Sequence, residues 1–189
     1  ASDLVEVASI TNDAPEVFPL GETLVTWTAR DTSGNISTDL QKVLIEDTTS
    51  PTLSLPSDIQ MELLTSIGNH IDLGITSSND IVDLDPIITN DAPEVFPLGE
   101  TIVTWTATDA SGNSASATQI VSVIDTTLPI INVPNDIQVE AEGVLNQISE
   151  LGEITIDDFS TIVSITNDAP EVFPLGETIV TWTATDASG

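Results

Sequence analysis

Thr89-Asn-Asp-Ala-Pro-Glu-Val-Phe-Pro-Leu-Gly-Glu-Thr-Ile-Val-Thr-Trp-Thr-Ala-Thr-Asp-Ala-Ser-Gly112 is the stretch that decides the fold of this 189-residue chain. It recurs letter for letter as Thr166 to Gly189, and again as Thr11 to Gly34 with changes only at Leu24, Arg30 and Thr32. Trp27, Trp105 and Trp182 stand 78 and 77 residues apart. That period is too long for most solenoid units and suits a small autonomous β-domain. Within the stretch Val103, Trp105 and Ala107 point one way and Thr104, Thr106 and Thr108 the other, the two-residue period of a half-buried strand. Asp109-Ala-Ser-Gly-Asn113 then reads as a hairpin loop, its glycine placed for a bulge or left-handed residue. Pro97-Leu-Gly99 makes a corner after Phe96, and the three tryptophans read as core residues.

Outward from this signature, residues 47–124 form one complete repeat. Strands are expected at Thr52 to Leu55 and Ile59 to Leu64, with Ile59, Met61 and Leu63 on one face. His70 to Ser78 follows, with Ile71, Leu73 and Ile75 as the expected inner set; then come an acidic loop at Asp80 to Asp85 and a short strand at Ile87 to Thr89. Ser114 to Ile124 returns with Val121 and Val123 inward. About seven short strands with frequent turns describe a two-sheet sandwich. Gln138 to Leu145 is the best helical candidate, but its Val139/Ala141 alternation reads at least as well as strand. Asp47-Thr-Thr-Ser-Pro51 and Asp125-Thr-Thr-Leu-Pro129 read as short linkers. They divide the chain into 1–46, the C-terminal part of a first module; 47–124, complete; and 125–189, the N-terminal part of a third that lacks its last strand.

The chain has 31 acidic residues against Arg30 and Lys42, a formal charge of −29. That balance argues against nucleic acid, whose phosphates nothing could neutralise, and disfavours anionic membrane surfaces. Cations are its natural partners, although acids also serve to keep an exposed β-protein soluble. Cysteine is absent, so neither disulfides nor thiolate metal sites are available. No stretch approaches the ~20 apolar residues of a membrane span. The chain opens inside a repeat, so a missing signal peptide is uninformative about export.

Phe96-Pro-Leu-Gly-Glu-Thr-Ile-Val-Thr-Trp-Thr-Ala-Thr-Asp-Ala-Ser-Gly-Asn113, followed by Val121-x-Val123 and Asp125-Thr-Thr-x-Pro129, resembles the HYR (hyalin repeat) domain. It is especially similar to the versions strung together in large bacterial and archaeal surface proteins. The resemblance covers nearly the whole chain. It implies an all-β fold of tandem immunoglobulin-like β-sandwich modules of about 78 residues, extracellular or at the cell surface and associated with adhesion. The paired cysteines of the animal form are missing, with Ala117 where one is expected.

Catalysis is not expected. The carboxylate pairs Asp83/Asp85 and Asp157/Asp158 fall in a loop that does not match between repeats, and His70 has no counterpart in the third copy, where Ile148 lies at about the equivalent place. No serine has a partnered base or a nucleophile elbow. Calcium is the expected cofactor, since its ligands are hard oxygens. In an immunoglobulin-like sandwich each linker joins the bottom of one module to the top of the next. Asp47 would then meet Glu62 and Asp109, and Asp125 would meet Glu140 and Asp186. The competing role for Asp109 and Asp186 is to cap their own turns.

A structural job follows: stalk, surface layer or filament shaft, with neighbouring copies and divalent cations as partners. The alternative is a glycan- or receptor-binding adhesin module, which calls for exposed aromatics in a chain with three Trp and four Phe. A third reading is an acidic layer that concentrates cations. The partial first and third copies are read either as a window of a longer array or as modules completed by β-strand addition between chains, which would build an open filament.

Overall fold

Fifteen strands and no helix make up the described residues, as the weight of Thr, Val and Ile favours. The computed structural model describes residues 6–189; residues 1–5, the start of the expected 1–46 segment, lie outside the described residues. No helix is long and apolar enough to cross a membrane. Two compact units are present: residues up to 52 with 78–87 and 107–115, and residues 53–77 with 88–106 and 116–189.

In the first unit β1 (Val7–Asn12), β2 (Gly21–Asp31) and β3 (Ile36–Ile45) form an antiparallel sheet. Further along, β4 (Thr52–Ser54) pairs with β6 (Ser77–Asn79). A four-stranded sheet runs β5 (Ile59–Glu62), β9 (Ser114–Ile124), β8 (Gly99–Thr108), β7 (Ile87–Asn90), with β5 parallel to β9. The remaining strands pair as β10 (Ile130–Asn132) with β12 (Thr155–Asp157), β11 (Leu145–Asn146) with β14 (Phe173–Pro174), and β13 (Ile162–Asn167) with β15 (Trp182–Asp186).

The alternation read from the signature sets the core. Leu63, Phe96, Val103, Trp105, Val121 and Val123 form one buried cluster, with Leu53, Leu55, Ile59, Ile71, Leu73 and Ile88 packed against it. Each fully buried apolar side chain contributes about 1.5–3 kcal/mol. The Trp105 indole N–H donates to Gln119 Oε1 at 3.1 Å, and Gln119 Nε2 donates to the carbonyls of Ser57 and Leu73. The buried amide is thus satisfied on both ends, as its position demands. Trp27 makes the same bond to Gln41 at 2.8 Å, yet it is 40% exposed where Trp105 is 7%.

The opening Asn-Asp of each signature acts as a clamp. Asp13, Asp91 and Asp168 each accept the amide of the threonine just before Trp, at 2.6 Å. Asn12, Asn90 and Asn167 turn the chain by accepting the amide two residues on. The first and third copies share one register: Asn12 faces Trp27 and Asn167 faces Trp182, with the same irregularity at Val7/Ser9 and Ile162/Ser164.

Two local expectations are corrected. His70 to Thr76 forms no strand, because an Asx turn from Asp72 to Gly74, at φ 88°, breaks the alternation. Ile71 and Leu73 still reach the core, but Ile75 emerges at 93% exposure. Gln138 to Val144 is neither helix nor strand, and Val139 is exposed.

Replacing Phe96 by alanine is expected to lower the unfolding free energy by about 3–5 kcal/mol, since it empties a fully enclosed site. Phe159→Ala, at a half-exposed ring, is expected to change it by about 0.5 kcal/mol or less. Denaturant titration followed by tryptophan fluorescence measures both.

Candidate metal centre

Asp109 directly follows β8 and opens the hairpin loop. Its amide donates to the Asn113 carbonyl, and Gly112 takes φ 91° to close the turn. Asp109 Oδ1 accepts the Asn113 amide at 2.7 Å and Oδ2 accepts Asn113 Nδ2 at 2.8 Å. The same Asn113 Nδ2 donates to the carbonyl of Asp47 at 3.1 Å, which brings the linker to the loop. Asp47 Oδ1 takes the amide and hydroxyl of Thr49. Asp80, the residue after β6, accepts the amides of Val82 and Asp83 on Oδ1. Carboxylate oxygens of Asp47, Asp80 and Asp109 lie within 4.8 Å of one another.

The second unit repeats the arrangement. Asp125 Oδ1 accepts the amide and hydroxyl of Thr127, Asp158 Oδ1 those of Ser160, and Asp186 Oδ1 the amides of Ser188 and Gly189. Asp125, Asp158 and Asp186 again offer oxygens within 4.8 Å of one another. Capping and convergence coexist: in five of the six acids one oxygen holds the loop while no hydrogen bond occupies the other.

Both groups are unbalanced electrostatically. The Asp83 and Val82 amides hold the Asp80 carboxyl below its ordinary value, against the cost of desolvation. The Thr127 hydroxyl, then that of Ser160, does the same for Asp125. Both are therefore charged at neutral pH. The ion pair found among the described residues is Lys42 with Glu22, so no side-chain cation answers these aspartates. Of the four buried side-chain atoms without a hydrogen-bond partner, three are Oδ2 of Asp47, Asp125 and Asp158. Like charges at this separation repel, and orphaned buried oxygens are costly. An all-carboxylate set with serine and threonine hydroxyls nearby, lacking His and Cys, suits a hard divalent cation.

Four of the six sequence-expected ligands are in these groups: Asp47, Asp109, Asp125 and Asp186. Glu62 and Glu140 are not. Because β5 runs parallel to β9, Glu62 lies opposite Ile124 beside the departing linker, where it accepts the amide of Thr126 at 2.7 Å and its hydroxyl at 3.0 Å. Glu140 is exposed in a segment without strand. Their places are taken by Asp80 and Asp158. The available signal was an aspartate directly after a short strand, nine residues before Thr89 and eight before Thr166. That one-residue offset hid the match. Asp83, read as half of a carboxylate pair, instead accepts the Ala110 amide on Oδ2 at 2.9 Å and braces the hairpin.

The first copy shows the hairpin half of the device. Asp31 accepts the Asn35 amide and Nδ2 at 2.8 and 2.7 Å, and the Asn35 side chain holds its carboxyl below the ordinary value. A depressed carboxyl contributes stability above the ordinary aspartate range and loses it as pH falls through the folded value. Asn35→Ala is expected to raise the Asp31 pKa and shrink that acid-sensitive contribution, measured by NMR titration of the carboxyl carbon.

Residues 46–123 match the HYR domain. The chain is similar to hyalin of Lytechinus variegatus, 33% identical over 201 aligned residues, which covers 97% of this chain and 37% of that protein. Hyalin of Strongylocentrotus purpuratus is 36% identical over 204, covering 100% of this chain and 17% of that protein. A third relative is the sushi, von Willebrand factor type A, EGF and pentraxin domain-containing protein 1 of Rattus norvegicus, 31% identical over 166 and 84% of this chain, but 5% of its own length. The chain thus spans well under half of each relative it matches.

Proposed function

From the premise that this is a HYR-domain protein, extracellular or at the cell surface and associated with adhesion, we propose that the chain is a structural spacer within an adhesive assembly. The proposed repeat modules are 1–46, 47–124 and 125–189, in tandem along the chain as part of a stalk, surface layer or filament shaft, with neighbouring copies as partners. One observation carries the reading. The 24-residue signature recurs unchanged at 89–112 and 166–189 and with three changes at 11–34, and the first and third copies pair in the same strand register at β1/β2 and β13/β15. A spacer needs repeated shape, whereas a binding module needs a unique surface. Catalysis is no part of the proposal.

Divalent cations, calcium first, are the proposed cofactor at the acidic groups, where they stiffen the linkers. A chelator is expected to speed protease cleavage at Asp47–Pro51 and Asp125–Pro129. An unchanged hydrodynamic radius and melting temperature in chelator would remove calcium from the account.

The spacer reading is tested by small-angle X-ray scattering from chains with one, two and three added copies of residues 47–124. The maximum dimension is expected to rise by a constant increment per copy. Growth as a compact body, or selective capture of one glycan on an array, would favour the adhesin-module alternative instead.

A further inference from the structure

We infer that Asp125, Asp158 and Asp186 ligate one calcium ion and that Asp47, Asp80 and Asp109 ligate a second, each ion clasping a linker to the two loops beside it. The clasp deepens the proposed cation-stiffened spacer and rests on that reading. The ligand set differs from one drawn on glutamates, because both glutamates stand outside the groups.

The stronger case is Asp125. The residue is 8% exposed, and its Oδ2 is buried without a hydrogen-bond donor. Asp158 Oδ2 is orphaned in the same way, and both belong to carboxylates that converge within 4.8 Å. Folding that buries an acceptor and supplies no donor leaves a place for a positive ligand. Asp186 is itself 4% exposed, and its loop amides occupy only Oδ1. In the other unit the same three positions recur: a linker aspartate, an aspartate after a short strand, and the aspartate that opens the hairpin. There too the linker acid, Asp47, has an orphaned Oδ2.

The chemistry selects the ion. Oxygens that share one calcium at about 2.3–2.6 Å sit at most about 5 Å apart across it, and the oxygens of each group all lie within 4.8 Å of one another. Magnesium gives up its waters reluctantly and is seldom held by a dedicated cage of protein oxygens, whereas calcium accepts such a set. Zinc would seek the imidazole or thiolate ligands that both groups lack. The hydroxyls of Ser160 and Ser188 lie beside Asp125, and water can complete a shell of six to eight oxygens. Each set draws on three separated segments, so the bound ion ties a linker to a loop after a strand and to a hairpin. Release would leave three carboxylates facing one another.

The test is calorimetric titration of calcium chloride into the full chain after chelator removal. Two equivalents are expected to bind, and the melting temperature is expected to rise with calcium. Asp125→Asn should abolish one equivalent and Asp47→Asn the other, while Glu140→Gln keeps both. Should Asp125→Asn fail to fold, judged by tryptophan fluorescence, Asp158→Asn serves in its place and should also lose one equivalent. No heat and no melting shift in the unaltered chain, or full stoichiometry in both Asp125→Asn and Asp158→Asn, would overturn the assignment. Magnesium binding as tightly as calcium would overturn the choice of ion. Two equivalents bound by a chain that grows compactly in scattering would keep the sites and sink the spacer.

Discussion

Burial of the Trp105 indole against the returning strand is the constraint on which the rest of the structure depends. The ring needs apolar cover on its faces and an acceptor for its one N–H. Val103, Val121, Val123 and Phe96 share its buried cluster, and Gln119 supplies the acceptor. Gln119 then has two amide hydrogens to place, and it reaches the carbonyls of Ser57 and Leu73. A single buried amide therefore ties the central ribbon to two earlier segments. The register of β8 against β9 cannot slip by one residue without turning this whole set to solvent.

A ribbon fixed in this way also fixes where it ends. Asp109 lies one residue beyond β8 and Asp125 one residue beyond β9, so the ribbon delivers an acid at the close of each of its strands. The two acids serve different groups: Asp109 joins Asp47 and Asp80, and Asp125 joins Asp158 and Asp186. Core and candidate metal centres are consequently one design. The hydrophobic alternation positions the strands, and the strand ends present the charge.

Much of this was legible in the letters. The alternation from Thr101 to Thr108, the turn at Asp109–Asn113 and the linker aspartates each follow from a local rule, and each appears where that rule puts it. What escaped depended on pairing over long distances. Glu62 was assigned to the wrong end because strand direction is a tertiary property, and β5 runs parallel to β9. Asp80 and Asp158 do not line up in the letters because the loops that carry them differ by one residue in length, although the fold brings each beside the linker and hairpin aspartates of its own group. Ile75 fails its alternation because a local Asx turn outcompetes the strand. Trp27 and Trp105 occupy the same place in near-identical signatures yet differ in burial, which the local letters do not decide.

The proposed ions bind at the two aspartate groups without moving the Trp105 core. Heteronuclear NMR of the full chain during a calcium titration examines this most directly. The expected result is that amide shifts concentrate around Asp47, Asp80 and Asp109 and around Asp125, Asp158 and Asp186, while Val103, Trp105 and Val121 stay in place. Shifts spread through the core, or none at either aspartate group, would contradict it.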